Sequence, residues 1–419
     1  MTETTLQIKM SSPLQQISKW SFYFMLATFP LSLFLNNLFA TVFLIAFGFY
    51  LLLNQKLILT KTFKKKLHLF LILSVPFLLT LLGSIYSSNP SGALKMIGKI
   101  APLLFFVYYA VYHNTWFSDK IKPAFWFLVF GCLLSAGLSW GLSLVEIFKL
   151  KLPISVLFTQ EFAYHNLAEK LGVHTPYLAL FINAALGFIV YSFYDKQSKI
   201  SKPFLWFIFI VLTIFLFNLM ARNAIFCYLF FGFIFLVKSK NYLLLLSFFV
   251  VISALTIYIY NTEKNFLRDR FIYGINIFEE ETIFSKKDNR FSRWQASVEV
   301  FKQFPILGPG TAGAEEFRKE QYLINLDSEA YNEGYNAHNQ FVEYLSTYGF
   351  VGAILFILMV FYLIKSTFRQ HSVLLMYLCG CFLIAMITES ILVRSWGVMY
   401  YGFLIVCILS WNIKFQNLE

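Results

Sequence analysis

Residues 203–238 read PFLWFIFIVLTIFLFNLMARNAIFCYLFFGFIFLVK, two apolar runs joined with almost nothing between them. Each run approaches the roughly 20 residues that an α-helix needs to cross a bilayer. The polar break at Asn218 to Arg222 is too short for anything but a tight turn. The stretch therefore reads as a membrane hairpin, 203–220 and 222–238, and the alternative is one long helix running through the break.

Working outward, the same pattern recurs along the chain. Of its 419 residues 58% are hydrophobic and 13% charged, which suits a polytopic helical membrane protein and excludes a large soluble α/β domain. The apolar runs give about twelve spans, near 18–36, 38–54, 67–86, 94–112, 124–147, 172–194, 203–220, 222–238, 242–260, 341–364, 372–390 and 396–413. The fold class expected is an all-α polytopic membrane protein. Residues 1–260 then hold nine spans, 261–340 form one large polar loop, and 341–419 hold the last three. The 51 Phe suit lipid-facing and helix-packing surface, and many of the 24 Tyr and 8 Trp fall near run ends, where amphipathic rings favour the interface. The first 19 residues are polar and no small-residue cleavage site follows the first run, so that span is expected to stay in the membrane.

Charge gives the orientation. Lys56, Lys61 and Lys64 to Lys66 follow the second span, Lys120 and Lys122 the fourth, Lys196, Lys199 and Lys202 the sixth, Lys238 and Lys240 the eighth, and Lys365 and Arg369 the tenth. Every even-numbered exit is basic, with Lys149 and Lys151 a minor exception on the other side. By the positive-inside rule both termini are cytoplasmic, and Asn36-Asn37, the Asn218 to Arg222 turn, the 261–340 loop and Thr388 to Trp396 face outward. Much of the net charge of +12 thus serves topology and anionic lipid, and no nucleic-acid partner is implied. Cys132, Cys227, Cys379, Cys381 and Cys407 all fall inside apolar runs and read as small buried residues, neither disulfides nor metal ligands.

Outward-facing ionisable groups carry the chemistry, because charge beside hydrocarbon is costly and faces a cavity or a partner. Lys95 and Lys99 share one helix face, either as a phosphate clamp or as snorkelling lysines. Arg222 is held by its turn close to the outer surface, as a phosphate ligand or a headgroup contact. His174, before Pro176 at the start of the sixth span, caps and packs or touches substrate. Glu389 and Arg394 flank the last outer turn, as a structural ion pair or as substrate contacts.

Within the long loop, Arg290 to Phe304 reads as a helix with Phe291, Trp294, Val298 and Phe301 on an apolar face. Arg290 and Arg293 project together from it and offer forked donors to phosphate oxygens, or else form a solvated face. A second helix is expected over Glu315 to Tyr322, then an acidic segment from Asp327 to Gly334. His338, before the tenth span, is either a cap or a base that takes a proton from a hydroxyl, with Glu333 or Glu343 as the carboxylate tuning it. One base with several fixed cations suits transfer from a lipid diphosphate. No metal-ligand spacing occurs in the loop, so a metal-independent reaction without cofactor is expected.

The order Arg290-x-x-x-Trp294, Phe304-Pro-Ile-Leu-Gly-Pro-Gly310, Ala337-His-Asn-Gln-Phe-Val-Glu343 and Tyr348-Gly-Phe-Val-Gly352 resembles the bacterial O-antigen ligase and Wzy O-antigen polymerase superfamily. The resemblance implies a glycosyltransferase of GT-C-like architecture in the inner membrane, facing the periplasm. It implies transfer of a glycan from undecaprenyl diphosphate to an acceptor hydroxyl, with a lipid A core as the first expectation. Polymerisation of repeat units is the second, and glycosylation of a protein side chain the third. Arg222, Arg290 and His338 match the family's functional arginines and histidine; His174-Thr-Pro-Tyr177 departs from its His-Pro-Thr/Ser-Tyr order, and Glu389 and Arg394 match only loosely. A transporter or flippase of lipid-linked glycan is the rival from another class. It predicts internal repeats and midplane charges, and the sequence has neither. The loop thus reads as half of a site, to be completed by Arg222 with Lys95, Lys99 and His174 as further candidates.

Overall fold

The computed structural model describes residues 3–54, 61–239 except 196 and 198, and 290–411 except 326, with isolated positions between 240 and 289. The described residues are helical, without strands. Eleven of the twelve expected spans coincide with helices. The span near 242–260 and the first half of the long loop lie outside the described residues. Among the described residues five helices are long and apolar enough to cross a membrane, six if a bent pair counts as one, and shorter apolar helices accompany them. Phe34, Phe105, Phe130 and Phe361 lie exposed on such helices, a surface that suits hydrocarbon and not water. The chain is a multi-pass membrane protein.

It divides into two compact units, residues 1–131 with 290–419, and residues 132–289. In the first, α1 (Glu3–Thr28) and α2 (Leu33–Leu53) form a hairpin. The sequence reading put this turn at Asn36-Asn37; the structure puts it at 29–32, where Pro30 interrupts the helix. Asn36 stays inside α2 because its amide donates to Met25 O at 2.8 Å across the hairpin. The third expected span is two helices, α3 (Lys61–Leu73) and α4 (Val75–Ile85), bent by 72°. Pro76 has no N–H for the carbonyl of Ile72 and suits the first turn of a helix, so α3 cannot run through it and the break falls at Ser74. Next come α5 (Pro90–Tyr112), the single turn α6 (Asn114–Phe117) and the start of α7 (Ile121–Lys149).

After residue 290 the same unit holds α12 (Arg290–Gln303), α13 (Ala314–Ile324), α14 (Ser328–Glu333), α15 (Gln340–Arg369), α16 (Val373–Thr388) and α17 (Ser395–Ser410). The numbers between belong to the second unit: α8 (Tyr164–Glu169), α9 (Thr175–Tyr194), α10 (Lys202–Asn218) and α11 (Arg222–Ser239), with the rest of α7. In that unit the turn from α10 to α11 carries left-handed Met220 (φ 47°), so 203–238 is a hairpin and not one long helix.

The expected helices of the loop are present as α12 and α13, but the buried face of α12 differs from the one read in the sequence. Ala296, Ser297 and Val300 are buried, whereas Phe291 is exposed. α12 packs against α13 and α15, and close helix approach favours small residues on that face. Ala296, Tyr322 and Ala330 form a small core there, with Tyr335 against it.

The Phe304 to Gly310 segment is the joint between this helical cap and the spans. Phe350 N donates to Pro305 O at 2.8 Å, Val351 N to Ile306 O at 3.2 Å and Gly310 N to Thr347 O at 3.1 Å. Thr311 reaches the C-terminal half of α4, its N donating to Gly83 O at 3.1 Å and its Oγ1 to Thr80 O at 2.7 Å. α15 breaks at Gly349 (φ 62°) to free the amides for this pairing. The two glycine motifs of the sequence, 304–310 and 348–352, are therefore one structural joint.

Candidate functional site

The stretch from Tyr335 to Gln340 is pinned residue by residue. Left-handed Gly334 ends α14, and Tyr335 N then donates to Ala330 O at 3.2 Å. The Tyr335 carbonyl accepts from the Tyr322 hydroxyl at 3.0 Å. Ala337 N donates to Glu343 Oε2 at 2.8 Å and His338 N to Asn336 Oδ1 at 2.9 Å. Asn339 Oδ1 caps α15, accepting from Phe341 N at 2.9 Å and Val342 N at 3.2 Å. Held this way, His338 adopts left-handed backbone (φ 46°), which histidine tolerates better than most residues.

That backbone aims the imidazole at the turn between α16 and α17, where Nδ1 lies 3.0 Å from Glu389 Oε2. Arg290 approaches the other oxygen of the same carboxylate, Nη2 to Oε1 at 3.9 Å. The side chains of Glu389 and His338 are only 11% and 17% exposed, which shields the pair from bulk water without sealing it. A carboxylate only accepts, so the proton of a neutral imidazole lies on Nδ1 and Nε2 keeps its lone pair. The turn itself is fixed from the histidine side, because Leu392 N donates to Gln340 Oε1 at 2.7 Å.

Glu389 thus takes the place that the sequence reading gave to Glu333 or Glu343. Glu333 is exposed at the end of α14, and Glu343 turns the other way, onto Arg318 and the Ala337 amide. Nor do Glu389 and Arg394 pair with each other; Arg394 is exposed at the start of α17, with no ion pair among the described residues.

Arg293, one turn along α12 from Arg290, places its guanidinium 4.2 Å from the centroid of the Tyr335 ring. The Tyr335 ring in turn stands edge-on to His338, centroids 5.7 Å apart. Burial, then the nearby Glu329 carboxylate, pushes the Tyr335 hydroxyl above its ordinary value, and it donates to Glu329 Oε1 at 3.2 Å. Lys95 and Lys99 are exposed on one face of α5, which packs against the 391–393 turn; neither contacts His338 or Glu389 among the described residues.

Arg222 and His174 belong to the second unit. Arg222 opens α11, and the Asn218 amide before it, with its oxygen toward Trp140, accepts from Nε1 at 3.0 Å. Asn183 of α9 donates to Ala224 O at 3.0 Å and ties the start of α11 to that helix. His174 precedes α9 with its ring 5.5 Å from His165 and 5.9 Å from Tyr177. His165, which no sequence motif singles out, lies 2.9 Å from Thr175 Oγ1 through Nδ1.

Residues 207–357 match the family described as O-Antigen ligase. Over those residues the chain is similar to the O-antigen ligase and Wzy superfamily. No curated protein matches the chain. The O-antigen ligase match holds Arg222, Arg290, Arg293 and His338, and ends before Glu389. Tyr322, Arg318 and Tyr335 also fall inside it but gave no sequence signal, since each reads as an ordinary polar helix or loop residue until the fold joins them. Among the described residues no three His, Cys, Asp or Glu side chains cluster as metal ligands would.

The Tyr322 contact yields a test of how the loop is held. Burial pushes the Tyr322 hydroxyl up to about 12, so it stays a neutral donor to the Tyr335 carbonyl. The folded value lies above the unfolded value of about 10, so this contribution is complete below about pH 10 and is lost as pH rises toward about 12. Tyr322→Phe is expected to cost about 1 kcal/mol at neutral pH and to flatten the stability loss over that alkaline window. Thermal unfolding of both proteins across pH measures it.

Proposed function

We propose that the protein is an O-antigen ligase, a glycosyltransferase that moves a glycan from undecaprenyl diphosphate to a hydroxyl of a lipid A core on the periplasmic face. The observation that carries the reading is the His338 to Glu389 contact of 3.0 Å with Arg290 on the same carboxylate, in a chain similar to the O-antigen ligase family over residues 207–357. In this mechanism Nε2 of His338 takes the proton of the acceptor hydroxyl. The oxygen attacks the anomeric carbon, the bond from that carbon to the diphosphate oxygen breaks, and the lipid diphosphate leaves with its electron pair. Glu389 holds the imidazole tautomer and stabilises the imidazolium that forms. Arg290 supplies positive charge where the diphosphate charge develops, and a direct displacement of this kind inverts the anomeric configuration.

The deciding assay is purified protein in lipid nanodiscs, given lipid-diphosphate-linked glycan with and without lipid A core. A ligase attaches glycan to the core. Growth of the glycan on its own carrier without core identifies a polymerase, transfer to a protein side chain a protein glycosyltransferase, and lipid movement without bond exchange a flippase. Arg290→Ala is expected to lower transfer by about 10²-fold, the scale seen when one oxyanion donor is removed, and a rate within twofold of the parent excludes Arg290 from the diphosphate. Arg222→Ala in the same assay asks whether the arginine of the second unit takes part.

A further inference from the structure

Glu343 and Arg318 form a buried ion pair that the mechanism above does not use. Their side chains are 8% and 4% exposed, and Glu343 Oε1 accepts from Arg318 Nη2 at 3.0 Å. A buried pair of this kind is seldom a gain in stability over apolar residues of the same size, so its geometry calls for another reason. The second oxygen supplies one. Glu343 Oε2 accepts from Ala337 N at 2.8 Å, the amide immediately before His338. Arg318 is itself fixed, its Nη1 donating to Ser346 Oγ at 3.2 Å while that hydroxyl donates to Glu343 O at 3.1 Å. The chain of contacts runs from α13 through α15 to the backbone of the left-handed histidine.

We propose that Arg318 and Glu343 are positioning residues for the transfer reaction: they lock the 337–338 backbone so that the imidazole of His338 stays on Glu389. The proposal rests on His338 as the base. It explains why a carboxylate, with two acceptor oxygens, stands at 343. A carboxamide has one acceptor, and its NH₂ group would face either the Ala337 amide or the Arg318 guanidinium, donor against donor.

The test is steady-state transfer by the full-length protein, with kcat and KM for the lipid-linked donor measured separately. Glu343→Gln is expected to lower kcat by about 10- to 100-fold, the scale of a small misplacement of a reacting group, with KM within about twofold. Arg318→Met is expected to fall as far, and Arg318→Lys, which keeps one charged donor to Oε1, to recover most of the rate. A kcat for Glu343→Gln equal to the parent's, where His338→Ala is slowed by about 10²-fold or more, overturns the positioning role. Transfer by His338→Ala at the parent rate instead overturns the base on which it rests. If Glu343→Gln does not purify as a monodisperse protein, Glu343→Asp and Arg318→Lys carry the test, since both retain the charges. Aspartate falls one methylene short of the Ala337 amide and must lose kcat relative to Arg318→Lys; equal rates overturn the proposal.

Discussion

His338→Ala is expected to lower glycan transfer by about 10²- to 10⁴-fold, the range for losing a positioned general base, while donor binding persists. The size of the effect follows from the lack of a substitute. Glu389, 3.0 Å from Nδ1, sits behind the imidazole and not at the nitrogen that would meet the acceptor. Glu343 is committed to Arg318 and Ala337, and the Tyr335 hydroxyl, raised by burial, is a poor base and already donates to Glu329. Added imidazole is therefore expected to restore part of the rate in the alanine variant, since it replaces the missing base without the backbone that held it. Transfer at the parent rate, with no response to imidazole, would remove the histidine from the mechanism.

Gly308→Ala is expected to harm the protein without touching a reacting group. Gly308 has φ 68°, and a β-carbon there would run into the carbonyl of Thr347. Left-handed backbone costs alanine about 1 kcal/mol and forced overpacking about 1–3 kcal/mol, so a loss of about 2–4 kcal/mol is expected. The clash lies inside the paired joint, beside the Gly310 to Thr347 bond, and relief requires the joint to open. The expected signature is a lowered unfolding temperature, faster proteolysis of the 290–340 loop and reduced transfer, with His338 unaltered. An unchanged unfolding temperature would mean that the joint tolerates the methyl group and does not anchor the loop.

The sequence told more about the membrane than about the site. Apolar helices were legible because apolar length is a one-dimensional property, and α9, α10, α16 and α17 each begin or end within a few residues of the run that announced them. The misplaced turn at Asn36-Asn37 shows the limit: two asparagines look like a loop until Met25 O offers one of them a partner 11 residues away. His338 and Arg290 were legible as residue types at loop positions. Their common partner was not, because Glu389 is 51 residues from the histidine and nothing local distinguishes it from a carboxylate paired with Arg394. The same blindness hid Arg318, whose neighbours Glu315, Glu316 and Lys319 give it the look of a solvated helix face. Glycine motifs suffered differently: 304–310 and 348–352 were each visible, yet only their mutual hydrogen bonds reveal a joint.

The distance along the chain between His338 and Glu389 also sets an order of events in biosynthesis. The ribosome makes residue 338 well before residue 389, and Gln340 likewise waits for the amide of Leu392. Until α16 has been made and the turn after it delivered, the histidine has no carboxylate behind it. A nascent chain that has not reached the turn after α16 therefore still lacks the contact on which the proposed base depends.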